Sequence, residues 1–273
     1  MKVACLFLTW NSSAHIRESI GRLVALFPRE AVIVVDNGSE DNTAGLLEKS
    51  FPGITLLRLP VNAGFSGGNN WGIKAALNLG YEAVFLLNAD IIVETDFISP
   101  CVQVLSDNPD IGVVGPTVLE PNATEIIQCE GGRIRRATLN FDYHNRGKRY
   151  VPRDELAEVD YVLGAAMLIR AELFRCIGGL DEDYNPAYVE EADFCYRARR
   201  AGFRCVISRG CYVRHIGPMS ASNRQKAFDR ISVRRFYFGI KHSGPLAFFW
   251  GAQLIVARVL YWKTRSHLRK WRK

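Results

Sequence analysis

Four short apolar runs, each closing on polar residues, constrain this chain more than any other feature. They are KVACLFLT (2–9), AVIVVDNGS (31–39), ITLLRL (54–59) and EAVFLLNAD (82–90). Continuous apolar runs of this length, bounded by turn residues, predict strands buried on both faces. The segments between them carry a different period. In SAHIRESIGRLVALF (13–27) the apolar residues Ile16, Ile20, Leu23, Val24 and Phe27 recur at helical spacing. DNTAGLLEKSF (41–51) predicts a short helix capped at Asp41 or Asn42. A glycine-rich turn, VNAGFSGG (61–68), then runs into a helix that closes at Leu79-Gly80. Strands alternating with helices imply an α/β fold, a parallel sheet covered by helices on both faces.

The pattern changes after about residue 115. IGVVGPTVL (111–119) predicts a strand, residues 120–158 loops and an irregular hairpin, and VDYVLGAAMLIRAELF (159–174) a strand followed by a helix. NPAYVEEADFCYRARRAG (185–202) predicts a helix opened by Asn185-Pro186 and closed by Gly202. FRCVISRGCYVRH (203–215) predicts one strand or two. The chain has 273 residues, 48% of them hydrophobic, which suits one large α/β domain with an appendage. Its seven cysteines form no CxxC pair, so reduced, buried thiols are expected rather than a zinc site. Val3 to Leu8 is too short for a signal-peptide core and reads as a strand.

A glycine-rich turn at a helix start is expected to receive an anion, because backbone N–H groups and the helix dipole point at it. The P-loop pattern needs Lys-Ser or Lys-Thr after its glycines, and none follows here. The dinucleotide fingerprint GxGxxG belongs after the first strand, whereas this turn follows the third. Gly64-Phe65-Ser66-Gly67-Gly68 does match the nucleophile elbow GxSxG, which leaves a serine hydrolase with Ser66 as nucleophile as the alternative function. Against it, Pro60, Asn62 and Ala63 separate the strand from the first glycine.

Ligands of open α/β sheets lie beyond the carboxyl ends of the strands. Four successive strand ends here carry Thr9-Trp10-Asn11, Asp36-Asn37-Gly38-Ser39, the Asn62–Asn70 loop and Asn88-Ala89-Asp90. Each alone is an ordinary turn sequence; together they line one rim with polar groups. Asp36 can accept hydrogen bonds from a base or ribose, and Asn62, Gly64 and Asn69 can line a diphosphate path. Asp90 can hold a divalent cation against phosphate oxygens. Trp10 and Phe65 suit base stacking or core packing.

With these residues in place the sequence resembles a family 2 glycosyltransferase with the GT-A nucleotide-diphospho-sugar-binding fold. The resemblance runs through TWN (9–11), VVDNGSEDNT (34–43), NAGFSGGNNWGI (62–73), LLNAD (86–90), GAAMLIR (164–170), GGLDEDY (178–184), YVEEADFCYRARRAGF (188–203) and VRHIGPMS (213–220). The glycine and acidic motifs are most similar to the branch holding rhamnosyltransferases of bacterial surface polysaccharides. The resemblance implies a mixed, Rossmann-like sheet in a domain over 1–229, with a nucleotide-binding half (1–115) and an acceptor-binding half (116–229). It implies an inverting hexosyltransferase that moves a sugar from a dTDP- or UDP-sugar to a saccharide or lipid-linked acceptor, with Mg²⁺ or Mn²⁺ as cofactor. Carried onto this chain, it places the donor against Thr9, Asn11, Asp36, Asn37, Asn62, Gly64, Phe65, Gly67, Asn69 and Asn88. The metal falls to Asp90 and His215, the base to Glu191, and acceptor contacts to Glu190 and Asp193. Two departures stand out: the family's DxD metal motif is Asn88-Ala89-Asp90, and its Glu-Asp base motif is Glu190-Glu191. A non-catalytic nucleotide-sugar-binding scaffold on the same fold is the other alternative.

Net charge is +7, unevenly spread. From Arg230 onward there are eleven Lys or Arg and no Asp or Glu, while residues 1–229 hold 24 basic and 28 acidic residues. Residues 245–262 are largely apolar and aromatic, with Gln253 and Arg258 inside and a polybasic end behind. This suits a helix lying in the interface of an anionic membrane better than a spanning one. Residues 230–273 are therefore expected to be a membrane-association segment, placing the protein on the cytoplasmic face of an inner membrane. No nucleic-acid-binding motif is present.

Overall fold

The computed structural model describes residues 1–14, 16–122, 124–217 and 221–242, with Gln253 and Val256 beyond them. Of the membrane-association segment expected over residues 230–273, residues 230–242, 253 and 256 are described and the others lie outside the described residues. Among those described, no helix is long and apolar enough to cross a membrane.

Two compact units are present. The larger comprises Met1–Gly132 and Tyr143–Gly217. Its first half follows the apolar runs: β1 (Val3–Thr9), α1 (Ile16–Leu23), β2 (Val32–Asp36), α2 (Thr43–Ser50), β3 (Thr55–Arg58), α3 (Gly64–Asn78) and β4 (Ala83–Asn88). Val32 to Val35 are fully buried, as a strand covered on both faces requires. β3, β2, β1 and β4 are parallel neighbours in that order, which brings Thr9 opposite Asp36 and Leu8 opposite Asn88.

The second half departs from a purely parallel sheet. After β5 (Ile91–Ile92) and α4 (Ile98–Asp107), β6 (Ile111–Leu119) joins the same sheet, with β7 (Ile127–Cys129) pairing at its end. β8 (Gly132–Arg135) and β9 (Asn140–Tyr143) form a separate hairpin, and the short β10 (Leu156–Glu158) lies at the sheet edge. β11 (Ala166–Arg170) inserts antiparallel between β4 and β6. α5 (Ala171–Ile177), α6 (Glu190–Arg200) and the bulged β12 (Arg204–His215) complete the unit. The sheet is therefore mixed.

Helix α6 begins five residues later than its sequence suggests. Tyr188 and Val189 both sit in the left-handed region (φ 86° and 76°), which a right-handed helix cannot include. Glu190 and Glu191 thereby become the first two residues of α6.

The smaller unit joins Arg133–Asp142 to the described part of Pro218–Lys273. Its helix, α7, spans Ala221–His242. Phe141 meets the buried Phe238 edge-on at 5.2 Å, and the Arg235 guanidinium lies 5.1 Å from the Phe141 ring centre.

Candidate active site

The glycine-rich turn holds no open anion cradle, which corrects the expectation drawn from its sequence. A helix start leaves its first four N–H groups without intrahelical partners. Here the protein satisfies all four. Ala63 N–H donates to Asn37 Oδ1 (2.9 Å), Gly64 N–H to Asn62 Oδ1 (2.8 Å), Phe65 N–H to the Pro186 carbonyl (2.9 Å) and Ser66 N–H to Asn185 Oδ1 (3.3 Å). The amide of Asn37 also donates to Asn62 Oδ1 and the Gly64 carbonyl, and Asn185 Nδ2 donates to the Ala63 carbonyl. Asn70 adds a reciprocal pair with the backbone of Leu180 and a bond to Glu182.

The glycines serve packing instead. A Cβ on Gly68 would stand 2.5 Å from Leu8 Cδ1, and one on Gly72 would collide with Leu6, so α3 lies flat on β1 only with hydrogen at both positions. Gly67 is buried against Ala63, and Asn69 is buried with its amide on the Phe65 carbonyl.

The hydrolase alternative fails at Ser66. Its side chain is fully buried in the first turn of α3, and its Oγ has no hydrogen-bond partner. A nucleophile needs exposure and a base to take its proton. A buried hydroxyl left unsatisfied costs about 1–3 kcal/mol, and alanine is the better helix former. Ser66→Ala is thus expected to raise the melting temperature by about 2–4 °C, for about 1 kcal/mol gained, and to leave turnover intact. A melt and an activity assay check both; loss of activity with the fold retained would restore Ser66 as a reacting group.

The strand ends do gather at one edge. Asp36 is buried at the end of β2, accepting from Ser39 N–H (3.2 Å). Beside it, Thr9 Oγ1 is buried without a hydrogen-bond partner. Asn11, at φ 48°, accepts from Glu40 N–H and stitches the loops after β1 and β2, while Trp10 is 53% exposed and so not a core residue. Next along the edge, Asn88 N–H donates to the Ala165 carbonyl, which places Gly164 beside the end of β4.

Gly164 lies between the start of α3 and the start of α6, a placement its sequence position does not announce. A Cβ there would lie 3.3 Å from Glu191 Cβ and 3.7 Å from Phe65 Cζ, so ring and carboxylate flank one small gap. Of the three acids opening α6, Glu191 alone is partly exposed; Glu190 and Asp193 are buried. Asp193 accepts from Tyr184 Oη (3.3 Å) and pairs with Arg197 Nε (2.7 Å). Arg197 in turn donates to the carbonyls of Ile177 and Gly179. Asp193 thus ties α6 to the end of α5, and the acceptor contact expected of it is not available to a side chain so enclosed.

The cation candidates meet through strand pairing. β5 lies antiparallel to the end of β12, with Ile91 opposite His215, and Ile216 N–H donates to the Asp90 carbonyl. His215 Nε2 stands 3.3 Å from Asp90 Oδ2, which also accepts from Gly217 N–H. Burial opposes ionisation of Asp90, but His215 and the Gly217 N–H outweigh it and hold the carboxyl below its usual range. The other ring nitrogen, Nδ1, lies 2.8 Å from Gln128 Oε1 on β7. Burial pushes the thiol of Cys129, the next residue, up, and the Glu191 carboxylate adds to the rise. Among the described residues no three His, Cys, Asp or Glu cluster around a point. One carboxylate and one imidazole would be the protein's share for a cation that takes its other ligands from diphosphate oxygens and water.

The chain is 30% identical over 204 residues to the low-salt glycan biosynthesis hexosyltransferase Agl10 of Haloferax volcanii, covering 72% of this chain and 62% of that protein. It thus spans less than two thirds of that relative's length. It is 24% identical to the N-acetylglucosaminyl-diphospho-decaprenol L-rhamnosyltransferase of Mycobacterium tuberculosis, over 76% of this chain and 74% of that one. In fold it is similar to the mannosyltransferase PcManGT of Pyrobaculum calidifontis, solved with GDP-Man and Mn²⁺, at TM-score 0.62 and 16% identity, covering 94% of this chain and 73% of the other. The profile of glycosyl transferase family 2 matches residues 6–178. That match covers more than half of the chain, and the chain belongs to glycosyl transferase family 2.

Proposed function

We propose that this protein is an inverting hexosyltransferase. It moves a sugar, rhamnose among the candidates, from a dTDP- or UDP-linked donor to a saccharide or lipid-linked saccharide during cell-surface polysaccharide synthesis. The observation that carries the reading is the convergence of Asp36, Thr9, Asn88, Gly164 and Glu191 along one sheet edge. The relatives named for glycan and rhamnosyl transfer support it.

Glu191 takes the proton of the attacking acceptor hydroxyl as the general base, and Glu190 shapes the acceptor side behind it. Asp36 and Thr9 receive the nucleoside, and Trp10 stacks on its base from the exposed side. Asn11, Asn37, Asn62, Gly64, Gly67 and Asn69 act by holding the donor loops in shape, while Phe65 and Asn88 border the sugar. Asp90 and His215 would hold Mg²⁺ or Mn²⁺, which when bound neutralises charge on the departing diphosphate. The basic C-terminal segment, residues 245–273, keeps the enzyme at the cytoplasmic face of an anionic membrane beside a lipid-linked acceptor.

A thermal-shift panel of UDP, dTDP and GDP, with and without Mg²⁺ or Mn²⁺, tests the reading. At a hundredfold excess over Kd, one nucleotide with metal is expected to add about 2.7 kcal/mol and raise the melting temperature by about 5–10 °C. A chain ending at residue 242 should keep that shift and lose sedimentation with anionic vesicles. Absence of any nucleotide-dependent shift would overturn the donor assignment; undiminished sedimentation would overturn the membrane role.

A further inference from the structure

We infer that Gln128 is a positioning residue that presents His215 to the cation through Nε2. This rests on the metal reading of Asp90 and His215 given above.

The inference follows from hydrogen-bond accounting at one side chain. Gln128 lies on β7, and β7 and β12 both pair with the last residues of β6: Cys129 opposite Val118 and Ile127 opposite Leu119 on one side, Val213 and Arg214 opposite the same two residues on the other. That double pairing brings Gln128 and His215 together across 87 residues of sequence. Gln128 makes two bonds, both to His215. Its Nε2 donates to the His215 carbonyl (3.1 Å), and its Oε1 lies 2.8 Å from His215 Nδ1.

The first bond decides the second. A carbonyl can only accept, so the NH₂ end of the amide must face it. The oxygen end then faces Nδ1, and an oxygen there requires Nδ1 to carry hydrogen. With hydrogen on Nδ1, Nε2 is the ring nitrogen left to ligate a cation. Nε2 is the atom that stands 3.3 Å from Asp90 Oδ2. One amide thus keeps hydrogen on Nδ1, sets the ring plane and aims the ligating nitrogen at the carboxylate that shares the site. The main chain of His215 is held from the neighbouring residue as well: the buried Arg214 bonds Glu94 and the carbonyls of Glu120, Asn122 and Thr124. Backbone and ring are therefore fixed by separate groups, and the ring's orientation falls to Gln128. Partners of this kind behind a ligating histidine are worth about 10–100-fold in metal affinity.

The test uses the full chain with UDP and measures Mn²⁺ binding by the loss of free-ion EPR signal. Gln128→Leu is expected to weaken Mn²⁺ binding by about 10–100-fold. Gln128→Met, close in shape but unable to accept from Nδ1–H, should weaken it as much. Affinity at the wild-type level in either variant overturns the proposal; in the Met variant it would mark packing alone. If wild type itself binds no Mn²⁺, the metal reading fails, an outcome distinct from failure at Gln128. A measurement free of variants at Gln128 completes it: ring ¹⁵N shifts of His215 in the Mg²⁺·UDP complex, assigned by their absence in His215→Gln. Hydrogen on Nδ1 is the expected pattern; hydrogen on Nε2 with a bare Nδ1 overturns the inference.

Discussion

Glu191→Gln is expected to lower kcat by about 10²–10⁴-fold, the usual contribution of a positioned general base, with donor affinity and melting temperature nearly unchanged. The substitution keeps the shape of the side chain and removes its charge and its capacity to take a proton. Glu191 is the second residue of α6, entered from a left-handed pair, and it faces the gap beside Gly164 and Phe65. Its two acidic neighbours are buried, so neither can replace it without movement of the helix. Steady-state kinetics with a saturating donor, beside UDP titration of both proteins, is the check. A fall of less than tenfold, or a loss confined to KM, would move the base elsewhere. A non-catalytic scaffold would show no functional loss at all.

The second large effect is on stability. Asp193→Ala should destabilise the protein by about 3–5 kcal/mol, because it leaves the Arg197 guanidinium without its buried counter-ion, and should lower the melting temperature by roughly 10 °C. The carboxylate is fully enclosed, and Arg197 is largely so. The loss would also release Tyr184 Oη and loosen the carbonyl anchors at Ile177 and Gly179. Denaturant or thermal melts with and without acceptor decide the matter. An unchanged melt with a raised acceptor KM would return Asp193 to the acceptor site.

Much of the first half of the fold was legible because its strands are buried on both faces. Uninterrupted runs such as Val32–Val35 have few alternatives, and their polar ends mark the ligand edge directly. The antiparallel course of β11 was not legible, since a buried strand carries no sign of its direction. Helix α4 escaped notice for a related reason: Pro100 in its first turn reads as a breaker although that turn tolerates it. The late start of α6 depends on Tyr188 and Val189 adopting a conformation that neither residue favours.

The site shows the same division. Asp36, Asp90 and Glu191 stand out as acids at element ends, where sequence pattern is informative. The closing of the glycine turn does not, because its acceptors come from Asn37, Asn62, Asn185 and Pro186, up to 121 residues away. Gly164 and Gln128 are ordinary residues in sequence, and only their neighbours in space give them a role.

The asparagine lacing around the start of α3 has a mechanical consequence. Asn70 and Asn185 weld that turn to the segment 180–186, and the chain passes from there straight into the base helix. The Phe65 ring and the Glu191 side chain are therefore tied to each other through that segment. The far bank is laced more lightly: the two-residue strand that follows Asp90 pairs with β12 at only two positions.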